Sequence, residues 1–244
     1  MPSPETTQYF TVLTEGTENY ILDKRGNKIK THRSNPMRAL DAAIATLLVD
    51  DLNSIYNSDF LKDLRSSFCY CALSTFQERS GVAEERDYRL EELIQWDGIF
   101  RLDPGPQTMM LKMHNYRAAI DFFGENYVDL ELNYCSSLAD VEAKGTSMVP
   151  EKTIAMLRSV FEQLSSDERF LVDLIGNYSD YVSISAATLL IAKKISIDAF
   201  LNTYFVLKYI EDPKKKKFRP YRKFLKTRIK YLMAFKSTMR KDVQ

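Results

Sequence analysis

The sequence predicts an α+β protein in which a small β layer precedes a run of helices, and three observations carry that prediction. The apolar pieces before residue 34 are short, β-prone and separated by turn residues. Beyond it, apolar positions recur at helical spacing. The chain has 244 residues, 45% of them hydrophobic, enough to fill a sizeable core, which argues against disorder throughout.

The pieces "QYFTVLT", "YILDK" and "NKIKT" read as strands broken by "EGTEN" and "KRGN", with Gly26 and Asn27 able to take positive φ. "SNPMRALDAAIATLLVDDLNSIY" reads as the first long helix: Ser34 or Asn35 caps it, Pro36 suits its first position, and Ala39, Ala43, Leu47 and Leu48 share a face. "SDFLKDLRSSFCYCALSTF" is expected to form a second helix and "DYRLEELIQWDGIF" a third, ended by Pro104, Gly105 and Pro106. "QTMMLKMHNYRAAIDFFGEN" follows as an amphipathic helix, and "YVDLELNYC" alternates as a strand would, or covers a helix end.

Four helices complete the reading. Pro150 sits near the start of "VPEKTIAMLRSVFEQL", and Ser165 with Glu168 forms a capping-box pattern before "ERFLVDLIGNY". "SISAATLLIAKK" is apolar nearly all round and should be the most buried helix. Ser196 can cap "SIDAFLNTYFVLKYI". These elements suggest a small α+β domain over 1–57, a helical domain over 58–212 and a basic helical extension over 213–244.

Charge is divided unevenly. The formal net charge is +1, yet the first 213 residues hold 21 basic and 32 acidic residues, a net of −11, while 13 Lys or Arg and no Asp or Glu lie between Lys214 and Lys241. Within that end, Tyr221, Leu225, Ile229, Leu232 and Phe235 form an apolar stripe behind Pro220. Lys214, Lys215, Lys216, Lys217, Arg219, Arg222, Lys223, Lys226 and Lys230 are the candidate partner-binding residues. They could meet an acidic protein surface, including the chain's own body, nucleic-acid phosphates such as RNA with aromatic rings nearby, or anionic lipid.

No catalytic, cofactor or metal constellation stands out. Eight Gly leave little material for a phosphate loop. Cys69 and Cys71 lie about 200° apart around a helix, and His32, His114 and Cys135 are scattered, so buried thiols are the default expectation over a zinc site. Asp50 with Asp51, and Glu91 with Glu92, are adjacent on helices and point apart as solvated residues do. The three Cys lack a disulfide-framework spacing, which fits a reducing compartment. No apolar run reaches the ~18–20 residues of a membrane helix. The first Lys or Arg is Lys24, so neither a secretory signal nor a transit peptide is visible.

Several separated stretches resemble one family, the assembly chaperone of mitochondria and alphaproteobacteria that binds the alpha subunit of the ATP synthase catalytic head. "YILDKRGNKIKT" is similar to its opening hairpin, whose Asp-containing turn leads to a Lys-Thr pair, here Lys30 and Thr31. "NPMRALDAAIA" resembles its first long helix, "CYCA" a Cys-Tyr segment carrying Tyr70, and "QWDGIF" a Trp-Asp pair, Trp96 and Asp97. The stretch from Ser165 to Phe200 is like its closing helices. Order and spacing hold from about Tyr20 to Phe205.

The resemblance implies a small N-terminal α+β domain followed by an orthogonal helical bundle, no cofactor and no reaction, with protein subunits as partners. It places the chain in the mitochondrial matrix or a bacterial cytoplasm. Three features depart from the family pattern: His32 stands where Pro is usual, Val206, Leu207 and Lys208 stand where acids are usual, and the basic end has no counterpart. A structural accessory subunit of a large mitochondrial complex, ATP synthase or ribosome, is therefore the alternative. Trp96 and Asp97 are expected to serve the fold before any partner.

Overall fold

In the computed structural model, which describes residues 7–39, 41–60, 62–78, 97, 118, 151–178, 183–211 and 218–239, the chain is α+β as expected, with a three-stranded antiparallel sheet ahead of the helices. Strand β1 (Phe10–Glu15) pairs with β2 (Glu18–Asp23) in a register running from Phe10↔Asp23 to Glu15↔Glu18. Gly16 at φ +62° makes the tight reversal between them.

The next turn is built by Asp23. Its carboxylate accepts from the N–H groups of Arg25 and Asn27, both at 2.8 Å, and Gly26 takes φ +80°. Those bonds, the Asn27 N–H first, hold the Asp23 carboxyl below its ordinary pKa.

Two expected boundaries move. Residues 36–39 do not open the first helix. Met37 N–H donates to the Ile29 carbonyl at 2.8 Å, and Arg38–Ala39 form β3 against β2. Helix α1 (Ala42–Tyr56) starts later, capped by Asp41, whose side chain accepts from Ala43 N–H. Pairing with a strand already in place outweighs the local preference of Pro36 for a helix start. The "NKIKT" piece contributes only isolated bridges, Leu22↔Lys28 and Lys30↔Pro36.

The second boundary is at α2 (Phe68–Glu78), expected from about residue 58. Asp63 instead caps one 3₁₀ turn (Leu64–Ser66), and the Ser67 hydroxyl accepts from Tyr70 N–H at 2.9 Å, starting the helix there. Asn53 of α1 then ties the sheet down: its amide oxygen takes the N–H groups of Tyr9 and Phe10 at 2.7 and 2.9 Å, and its NH₂ donates to the Phe10 carbonyl at 3.0 Å. Phe10, Ile21, Met37, Leu48, Leu52, Ile55 and Phe68 are buried.

Further on lie α3 (Glu151–Glu162), α4 (Ser166–Tyr178), α5 (Ile184–Ile191), α6 (Ile197–Glu211) and α7 (Phe218–Met239). The capping box forms: Ser165 N–H donates to the Glu168 carboxylate at 3.0 Å, and Glu168 N–H to the Ser165 hydroxyl at 3.2 Å. Ser196 caps α6 through Ala199 N–H at 3.1 Å. All eight residues of α5 are buried, as its composition predicts.

Helix α5 ends in a Schellman turn. Lys194 N–H donates to the Leu189 carbonyl at 2.8 Å and Lys193 N–H to the Leu190 carbonyl at 3.0 Å, with Lys193 at φ +59°. Gly is the usual residue there because a Cβ is strained in that conformation. Lys193→Gly should therefore raise stability by about 1 kcal/mol, read as a higher denaturant midpoint at unchanged slope.

The chain divides into two compact units, residues 1–84 with 227–244, and residues 85–226. The part of the basic end from residue 227 falls in the first unit. The stripe of that end, Leu225, Ile229, Leu232 and Phe235, is buried along with Phe224. Residues of α7 up to 226 belong to one unit and those from 227 to the other. Among the described residues, no helix is long and apolar enough to cross a membrane.

Candidate partner-binding residues and a buried ion pair

Helix α7 sorts its charges by face. Lys223 and Lys230 are exposed. Lys226 instead grips the Asp198 carboxylate at 2.7 and 2.8 Å, and Arg222 donates to the Asn202 amide oxygen at 2.6 Å while its guanidinium lies 5.6 Å from the centre of the Phe205 ring. Arg222 and Lys226 are thus turned onto the chain's own residues. Lys214, Lys215, Lys216 and Lys217 lie outside the described residues, as does the side chain of Arg219.

The cation that matters most inside the fold is not among the nine. Arg228 is 0% exposed, and its Nη1 lies 2.9 Å from Oδ1 of Asp51, itself 0% exposed. That contact is an ion pair and not an aligned hydrogen bond. Arg228 donates from Nη1 to the Asp51 carbonyl at 2.8 Å and from Nη2 to the Ser54 hydroxyl at 2.6 Å. Ser67 donates its hydroxyl to the other carboxylate oxygen, and Cys69 contributes further hydrogen bonds.

Asp51 thus departs from the expectation of a solvated carboxylate pair, while Asp50 beside it is exposed. The signal was present in the spacing. Asp51 sits three residues after Leu48 and four before Ile55, and Arg228 sits three after Leu225 and four before Leu232, so each charge lies on an apolar stripe. Burial pushes the Asp51 carboxyl up to about 6, against the pull of Arg228 and of the Ser67 and Cys69 hydrogen bonds.

Lys30, Thr31 and Tyr70 join the segment after β2 to α2. Tyr70, on α2, donates its hydroxyl to the Lys30 carbonyl at 2.7 Å. Thr31, 4% exposed, donates to Glu78 at the end of the same helix, and Asn35 donates to both Glu78 oxygens at 3.0 Å. His32 N–H donates to the Ser74 hydroxyl at 2.9 Å. Its ring Nδ1 reaches the same oxygen at 2.7 Å.

Asp97 is 0% exposed and its carboxylate accepts from Ser185 N–H at 2.7 Å, in the first turn of α5. Ser183 takes the neighbouring Ala186 N–H at 3.1 Å. A buried helix start has amides that water cannot reach, and this pair satisfies two of them while placing negative charge at the positive end of the helix dipole. Trp96, His114, Cys135 and the "YVDLELNYC" stretch lie outside the described residues.

Cys69 and Cys71 are free, and burial raises both thiols, Cys69 well above its ordinary value and Cys71 to about 11, so neither is a ready thiolate at neutral pH. Among the described residues, no three His, Cys, Asp or Glu gather as a metal site would require. An open cleft of about 390 Å³ lies beside the sheet edge, lined by Tyr20, Asn35, Pro36, Arg38, Gln77 and Glu78. No protein-family model matches the chain, and the comparisons with curated proteins and with solved structures find no significant match.

Proposed function

We propose that the chain is a non-enzymatic assembly chaperone for the ATP synthase catalytic head, shielding a surface of the alpha subunit until the proper neighbour replaces it. The observation that carries this reading is the joining of two separated resemblance segments. The Lys30 carbonyl of the opening hairpin accepts from Tyr70 of α2, 40 positions on, and Thr31 donates to Glu78 of the same helix, 47 positions on. Residues that a family keeps for its scaffold should act in this way, as buried connections between elements. The reading carries with it the mitochondrial matrix or a bacterial cytoplasm, and no cofactor.

The test uses the full chain and isolated alpha subunit, mixed and sized by gel filtration. A stoichiometric complex that dissociates when the neighbouring subunit of the head is added supports the chaperone, since a displaceable shield must bind with modest affinity. No association with the alpha subunit overturns it.

A permanent accessory subunit of ATP synthase or ribosome is the second reading, favoured by the exposed Lys223 and Lys230 on a helix that is otherwise seated in the fold. Its native protein would run with a large particle and never free. If RNA is the partner, Lys223→Gln with Lys230→Gln should weaken binding and flatten the slope of log affinity against log salt by about 0.7 for each phosphate no longer neutralised. Deleting residues 214–244 would not test this, because it removes Ile229, Leu232 and Phe235 from a core.

A further inference from the structure

Segment 36–38 turns one side toward the Ile29 backbone and the other toward α2. On the outer side, Arg38 N–H donates to the Gln77 amide oxygen at 3.1 Å, and Gln77 NH₂ donates to the Pro36 carbonyl at 2.8 Å. One carboxamide thus makes the two bonds that the N–H and C=O of a single residue on a neighbouring parallel strand would make. Among the described residues the sheet order ends at β3, so this is the sheet's edge there, and the cleft of about 390 Å³ opens at the same place.

The lining selects among ligands. An apolar molecule would strip water from Arg38, Asn35 and Glu78 without replacing its hydrogen bonds. A simple anion would face Glu78 and also Glu18, which holds Arg38 at 2.5 Å. An extended polypeptide brings N–H and C=O groups in alternation, the complement that Gln77 already imitates. We propose that this edge receives an extended segment of a partner polypeptide by strand addition, with the Gln77 side chain as a placeholder that swings aside. The proposal stands apart from the partner's identity and from the basic face of α7.

The probe is a phage-displayed library of unstructured octapeptides, panned on the full-length protein, with the enriched peptides resynthesised and their affinities measured. Gln77→Ala uncovers the Pro36 carbonyl and the Arg38 N–H, and should tighten binding about 3–10-fold. Arg38→Pro deletes the N–H, which serves Gln77 and not the sheet, and should weaken binding about 10-fold or more. Arg38→Ala keeps that N–H and should stay within about 3-fold of wild type. A library that yields no binder, or binders indifferent to both Gln77→Ala and Arg38→Pro, overturns the proposal and leaves Gln77 as an edge cap alone. Should Arg38→Pro fail to fold, Gln77→Ala decides by itself.

Discussion

Asp51→Ala is expected to destabilise the protein by about 3–5 kcal/mol, the cost of leaving a buried guanidinium without its counter-charge. The substitution also strips acceptors from Ser67 and Cys69. Asp51→Asn keeps an acceptor at the same place and should lose less. Arg228→Met with Asp51→Leu removes both charges and should recover most of the loss, because desolvating an ion pair can cost as much as its attraction returns. Chemical denaturation of wild type and the three variants checks this, and equal losses in Asp51→Ala and the double variant would refute it.

The same carboxyl has a pH signature. Its folded pKa, about 6, lies above the 3.8 of an unperturbed Asp, so the folded state holds the proton more tightly. The stability it contributes is full below pH 3.8 and is lost as pH rises toward about 6. Glu18 and Glu78 have lowered values, the first through the Tyr20 hydroxyl and the second through Thr31, so their contribution runs the other way, present above 4.5 and lost in acid. Those two groups are half-buried and still screened by solvent. Comparing wild type with Asp51→Asn between pH 4 and 6 isolates the buried group: the slope should differ in that window and match above it.

Asp97→Ala should cost about 2–4 kcal/mol, combining a lost helix cap with a buried amide left unsatisfied. Asp97→Asn retains an acceptor but not the charge at the helix start, and about 1 kcal/mol is expected for it. Thermal unfolding of both checks the ranking. If Asp97→Ala melted as wild type but no longer bound a partner, Asp97 would be a contact residue and not a support for α5.

What could be read in the sequence was local. The Ser165–Glu168 box, the Ser196 cap and the burial of α5 depend on neighbours within four positions, and each forms as the spacing predicts. The helix starts at Pro36 and Ser58 do not form, since strand pairing of residues 36–39 and the Ser67 cap are settled by partners and competitors that spacing alone does not rank. Arg228 and Asp51 are visible as charges on apolar stripes. That they meet, 177 positions apart, follows only from the tertiary arrangement. At the candidate site, the basic face is legible as composition, yet the inward turn of Arg222 and Lys226 is not.

The assignment of residues 227–244 to the same unit as residues 1–84 sets a schedule for synthesis. At about 5–20 residues per second, the roughly 140 intervening residues take on the order of 7–30 s to translate, and until then the emerged sheet and its first helices wait without Ile229, Leu232 and Phe235. A nascent chain in that interval presents an open apolar groove to the cell, so the later-made stretch decides whether the earlier-made portion ever closes.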